Sequence, residues 1–326
     1  MAAEESTSTT KSTSKLSGPV LFLLLGIGIG YLITQVFLWP IINLSSRTSR
    51  TLNITSKRDV DLYEEVRVLC FVYTKSSQNH LQAMGVFRTW GKRCNKLVFM
   101  SDKEDTEMGA VNLPGNGKRI ETWRKTKQAL KYIYDYHLGE ADWFLEADTG
   151  TYVIMENLRQ MLYPYSSSTP IYFGSPGVVM SRAALRRFVE LSLPNTTLCE
   201  PKDTGATMGK LRECLNNVKV MAGGSRDPKG RRRMYLIDPQ ARLNAYLRYD
   251  PNYWFWQYIS YRTQEGTFAW SNYPVTFHYV QARNMFYFEY MIYRLRAFGP
   301  KRINEFLPDK IVEAKENRNY GREMIR

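Results

Sequence analysis

Several groups of residues in this chain combine types and spacings that can do chemistry. Asp148 closes the apolar run 141–147 and is followed by Thr149 and Gly150. That puts a carboxylate where a strand hands over to a loop, the position where ligands sit in open α/β sheets. Cys70, Cys94, Cys199 and Cys214 are an even number in two sequence-local pairs, as expected for disulfides formed in an oxidising compartment. Three Asn-X-Ser/Thr sequons, at Asn43, Asn53 and Asn195, are glycan acceptors if their part of the chain is lumenal. Lys229, Arg231, Arg232 and Arg233 beside Pro228 and Gly230 read as a solvated basic loop. The cluster Tyr253, Trp254, Phe255, Trp256, Tyr258 and Tyr261 reads as core, with sugar stacking as its other use.

Elements that can position these groups are visible in the apolar pattern. The run 66–73, Val-Arg-Val-Leu-Cys-Phe-Val-Tyr, predicts a buried strand, Lys96 to Met100 a second and Ala141 to Ala147 a third. Between them, Leu81, Met84 and Phe87 fall at helical spacing, as do Trp123, Lys127, Leu130, Ile133 and His137. Another helix is expected through Asn157, Leu158 and Leu162, and a last one from about Asn284 to Phe298 with Met285, Phe288, Met291, Ile292 and Leu295 on one side. Strands alternating with helices predict an α/β class with a mostly parallel sheet.

At 326 residues, 44% hydrophobic, the chain is long enough for a large buried core and is neither a disordered tail nor a disulfide-stapled miniprotein. The formal charge of +14 is compatible with anionic partners. No zinc-finger spacing or RNA-binding aromatic signature accompanies it, so no nucleic-acid partner is expected.

Residues 1–15, rich in Ser, Thr, Glu and Lys, predict a disordered cytoplasmic tail. Residues 18–39 carry no charged side chain and predict a transmembrane signal anchor. Gly26 and Gly30 within it are spaced for close approach of two helices, a weak pointer to a homo- or heterodimer. Residues 44–64 read as a stem, 65–299 as the main domain and 300–326 as a charged tail. Lys11 and Lys15 precede the span while Arg47, Arg50, Lys57 and Arg58 follow it, which by the positive-inside rule alone puts the main domain in the cytoplasm. The sequons and cysteines point the other way.

Trp90-Gly-Lys-Arg-Cys-Asn-Lys-Leu-Val-Phe-Met-Ser101 and Ala141-Asp-Trp-Phe-Leu-Glu-Ala-Asp148 resemble segments of the core 1 β1,3-galactosyltransferase family. Tyr152 to Leu158, Ile171 to Gly174, Gly224 to Asp227, Phe277 to Val280 and Tyr293 to Gly299 continue the likeness in the family's order. The resemblance implies a GT-A, Rossmann-like glycosyltransferase domain behind an N-terminal transmembrane helix. It implies a single-pass type II protein of the Golgi or endoplasmic reticulum membrane, with its C-terminal domain lumenal. It further implies UDP-galactose as donor, Mn²⁺ as cofactor and GalNAc-bearing glycoproteins as acceptors, or a related galactosyltransferase as partner.

The likeness also exposes departures. Where the family has an Asp-Asp-Asp run that holds the metal, this chain has Asp148-Thr149-Gly150, which leaves Asp148, with His278 of the Phe277-His-Tyr-Val280 segment, as metal candidates. A family Glu-Asp pair before the equivalent of Cys214 is replaced by Ala206-Thr207-Met208-Gly209, removing the carboxylate expected to take the acceptor proton. Between Gly174 and Val178 a glycine-rich loop is shortened, and a family cysteine pair is replaced by Ala269 and Trp270. Cys70, Cys94, Cys199 and Cys214 match family positions. The expectation is a weakly active or non-catalytic, chaperone-like member. The alternative is an active transferase with Asp203, Asp142 or Glu146 standing in for the lost carboxylates.

Overall fold

The computed structural model describes residues 18–33, 60–74, 80–102, 108–113, 122–174, 177–202, 207–241, 270–296 and 309–311. The chain divides into two units, residues 1–60 and 61–326. In the first, α1 (Gly18–Ile33) is a 16-residue helix without a charged residue. Among the described residues no helix is long and apolar enough to cross a membrane. Residues 34–39 of the expected anchor lie outside the described residues.

The second unit is built on a seven-stranded sheet. Its strands are β1 (Val68–Tyr73), β2 (Lys96–Ser101), β3 (Val111–Asn112), β4 (Trp143–Asp148), β6 (Ile171–Gly174), β7 (Val178–Ser181) and β8 (Met221–Ala222), in the order β3-β2-β1-β4-β7-β6-β8. β3, β2, β1 and β4 run parallel, with Tyr73 opposite Asp148 and Phe71 opposite Glu146. β7 is antiparallel to both β4 and β6, so the sheet is mixed, and β7 leads into α6 (Arg182–Arg187). The continuous apolar runs of β1 and β4 follow from burial on both faces, because helices cover a parallel sheet on each side. A second sheet joins β5 (Tyr152–Val153), β10 (Thr276–Phe277) and β9 (Met234–Tyr235).

On one face of the large sheet lies α4 (Thr122–His137), burying Trp123, Thr126, Ala129, Leu130 and Ile133. These meet Leu69, Phe71, Phe144 and Met180 of the sheet together with Leu211 and Leu215 of α7 (Thr207–Asn217). Each fully buried Leu or Ile there contributes about 1.5–3 kcal/mol. The disulfide Cys70–Cys94 ties β1 to the turn before β2, and Cys199–Cys214 ties an incoming loop to α7. Closing loops of that length stabilises by about 3 kcal/mol through lost chain entropy.

α3 (His80–Arg88) forms where helical spacing predicts it, but turns a different face inward. Ala83, Gly85 and Val86 are buried, whereas Leu81 and Phe87 are exposed. Small residues win because α8 (Ala282–Tyr293) packs so close that a Cβ on Gly85 would lie 3.2–3.3 Å from Met285 and Ala282. α8 likewise ends at Tyr293, short of Phe298, and leaves Met291 and Leu295 exposed. Its outer end is held by Arg93, which donates to both carboxylate oxygens of Glu289 at 2.8 and 2.7 Å and lies 3.6 Å from the centre of the Tyr293 ring. α2 (Leu62–Glu65) precedes β1, with the Tyr63 ring under Arg159 of α5 (Met155–Leu162). Lys310 pairs with Glu65 at 3.0 Å.

Candidate functional site

Strand alternation puts Phe144, Glu146 and Asp148 on one face of β4, at its carboxyl end. The chain then turns sharply. Asp148 Oδ1 accepts from the Gly150 amide at 3.0 Å and the Thr151 hydroxyl at 2.7 Å, and Thr151 N–H donates to the Asp148 carbonyl at 3.1 Å. This is an Asx-type turn, in which the side chain mimics a backbone acceptor. Thr149 is buried within it.

Two long-range contacts hold the turn. The fully buried Trp90 donates its indole N–H to the Thr151 carbonyl at 2.8 Å, and Val280 N–H donates to the Gly150 carbonyl at 2.8 Å. The second contact brings in the segment after β10. His278, half-buried, places both ring nitrogens 3.4 Å from the Thr151 hydroxyl oxygen. That hydroxyl has one proton, and Asp148 is the nearer acceptor, so His278 can approach it only as a weak donor. Gly177, at φ +79°, closes the corner: a Cβ there would lie 3.6 Å from His278 Nε2 and 3.5 Å from the Glu146 carbonyl oxygen. The neighbouring Tyr279, exposed and at φ 56°, adopts a left-handed conformation that costs a non-glycine residue about 1–2 kcal/mol.

Beneath the turn lies Glu146, 8% exposed. Burial pushes its carboxyl up to about 7, offset by the Tyr73 phenol and reinforced by the charge of Asp148. Its Oε2 and the Tyr73 hydroxyl are both buried without a hydrogen bond of regular geometry. Burial also raises the Tyr73 phenol well above its ordinary value.

The structure thus brings Asp148 and His278 to one corner and adds Thr151, Trp90 and Gly177, which no sequence signal had singled out as site residues. Asp142 is not part of it. That carboxylate lies before the opposite end of β4, about 20 Å away along the strand, and is held by Arg67 at 3.0 Å and Arg182 at 2.6 Å. Asp203, Asn43, Asn53 and the 253–261 aromatic cluster lie outside the described residues. Asn195 is exposed. Of the stretch 206–209, Ala206 lies outside the described residues and Thr207 begins α7.

The donor set decides how well a cation fits. Asp148 keeps one oxygen outside the turn, Thr149 points inward, and Gly150 has no side chain. Among the described residues no three His, Cys, Asp or Glu side chains converge. One carboxylate and one imidazole do not make a protein-held site for a hard divalent cation, which takes about six ligands.

The basic run differs from the solvated loop expected of it. Arg231, Arg232 and Arg233 are half-buried, and Asp227 anchors the turn by accepting from the Lys229 and Arg231 amides at 3.0 and 2.9 Å and from Arg231 Nε at 2.8 Å. Those bonds hold the Asp227 carboxyl below its usual range although burial opposes them.

Comparison with known proteins adds an independent line. Residues 66–194 match a family described as Fringe-like. A Xenopus laevis glycoprotein-N-acetylgalactosamine 3-beta-galactosyltransferase 1 is 35% identical over 254 residues, covering 73% of this chain and 69% of that protein. Human chondroitin sulfate synthase 3 is 25% identical over 157 residues, which are 38% of this chain and 18% of the synthase. A solved glycosyltransferase involved in glycosylation of the major capsid of PBCV-1 aligns over 69% of this chain and all of its own, at 10% identity and a TM-score of 0.36.

Proposed function

The chain belongs to the core 1 β1,3-galactosyltransferase family, and from that premise we propose that it serves mucin-type O-glycosylation as a weakly active or non-catalytic member, engaging GalNAc-bearing glycoproteins. The observation that carries this reading is the closed Asp148 turn. One oxygen of its single carboxylate is occupied as a turn acceptor, and Thr149 and Gly150 supply no further anionic ligand. A diphosphate leaving group needs its developing charge neutralised, commonly by a divalent cation that also orients the donor. Here, among the described residues, that neutralisation is left with Asp148 and His278 alone, while the sheet, both disulfides and the Trp90 clamp remain. A scaffold kept without its charge-neutralising set suits binding better than turnover.

The protein's setting is part of the proposal. The uncharged α1 supports a single-pass anchor in the Golgi or endoplasmic reticulum membrane. Two disulfides and the exposed sequon at Asn195 support a lumenal C-terminal domain.

One observation favours a second reading, an active transferase moving galactose from UDP-galactose to O3 of GalNAc on Ser or Thr. Glu146 is a carboxyl held near neutrality directly beneath the turn, and a base with such a pKa is suited to take the acceptor proton. The two readings separate in a transfer assay using the full chain, UDP-galactose and a GalNAc-bearing peptide, first with Mn²⁺ and then with chelator. Binding of the peptide with negligible transfer is the expected result. Metal-dependent turnover that disappears in Asp148→Ala refutes the non-catalytic reading.

A further inference from the structure

Residues 226–233 carry Arg226, Lys229, Arg231, Arg232 and Arg233 against the single carboxylate of Asp227, five positive charges to one negative. That carboxylate is already committed. Its side chain is 2% exposed, and it is bound to Arg231 and two backbone amides. Arg233 is left without such a partner. Its guanidinium makes no hydrogen bond or ion pair among the described residues, and its Nε is sealed from solvent. Desolvation lowers its pKa, opposed only by the Asp227 charge and the Tyr165 phenol. A cation partly withdrawn from water with no ion-pair partner among the described residues is an unfavourable element in a structure that gains nothing from it. The arginine is also fixed in place, because its carbonyl accepts from the amides of Val275 and Thr276 where β9 meets β10.

The register of β9 and β10 gives the spacing of the Arg233 backbone from the site. Phe277 lies opposite Tyr235, and His278 N–H donates to the Tyr235 carbonyl at 3.2 Å. Arg233 is two residues before Tyr235, so its backbone stands about 7 Å along the strand from the edge beside His278. An extended peptide advances by nearly the same amount per two residues.

We propose that Arg233, within this basic segment, binds a carboxylate of an acidic stretch flanking the glycosylated Ser or Thr of the acceptor glycoprotein. The inference rests on the acceptor-binding reading above and adds a sequence preference to it. A guanidinium suits this task because its planar fork pairs with both oxygens of a carboxylate.

The test measures binding, so it does not depend on turnover. Two fluorescent GalNAc-threonine peptides, alike except for Glu or Gln about three residues from the sugar-bearing threonine, are titrated with the full chain and followed by anisotropy. The Glu peptide is expected to bind about five- to tenfold tighter, with the preference shrinking as salt is raised. Arg233→Gln should bring the Glu peptide down to the affinity of the Gln peptide, and Arg233→Lys should restore part of the difference. Equal affinities for the unaltered protein overturn the proposal whether or not the variants fold, and so does a Glu preference that survives in folded Arg233→Gln. In either case binding of the Gln glycopeptide leaves the acceptor-binding reading standing. Failure of both peptides to bind removes the two together.

Discussion

Glu146→Gln should change how stability depends on pH. In the folded protein the Glu146 carboxyl is pushed up to about 7 from an ordinary value of 4.5, chiefly by burial. A raised carboxyl pKa means that the folded state holds a proton the unfolded state has released. Stability therefore falls as pH rises through the window from 4.5 to about 7, and then levels off. Linkage over that shift amounts to a loss of about 2–3 kcal/mol between roughly pH 5 and pH 8. Glutamine does not titrate, so the variant should lack this component. Burying its amide without a partner costs about 1–3 kcal/mol, but at every pH alike, so the comparison of slopes is unaffected. Denaturant unfolding of both proteins at the two pH values, with unchanged m-values, provides the measurement. Parallel pH profiles for wild type and Glu146→Gln would refute the claim that burial below the turn raises the proton affinity of this carboxyl.

Three further outcomes follow from the same geometry. Trp90→Phe removes the indole donor to the Thr151 carbonyl and should destabilise the protein by about 1–3 kcal/mol, with faster amide exchange at Gly150 and Thr151 than elsewhere in the sheet. Arg93→Met should loosen α8 from its forked pairing with Glu289 and cost about 1–3 kcal/mol, seen as exchange rising in residues 282–293 before the global transition. Gly223→Ala would place a Cβ 2.2 Å from the buried Phe173 ring, so a loss of about 1–3 kcal/mol or more is expected in thermal unfolding, and an unchanged midpoint would contradict the packing described.

Local pattern was enough for much of the scaffold. Continuous apolar runs marked β1, β2 and β4 within a residue or two, because a strand buried on both faces has no polar alternation to confuse it. The cysteines also lay in sequence-local pairs, and those are the pairs that bond. The departure at Asp148-Thr149-Gly150 was legible for the same reason, since the loss of a carboxylate is a change of residue type.

Tertiary structure decided what depends on partners distant in sequence. Leu81 and Phe87 were the natural inward face of α3 by hydrophobicity, yet the close approach of α8 over Gly85 chose small residues instead. The antiparallel pairing of β7 with β4 is long-range and has no local signature, whereas its pairing with β6, three residues earlier in the chain, is local. Asp142 and Glu146 were equivalent as acidic residues on one predicted strand. Only the fold separates them, putting Asp142 between two arginines and Glu146 under the turn, where burial rather than sequence sets its proton affinity. The arginines at 231–233 show the same division. Composition supplied their charge, but neutralising one of them required Asp227 to fold back onto Arg231. Residue type and short-range periodicity are properties of the chain. Burial, pairing and the energy of a charge are properties of what surrounds it.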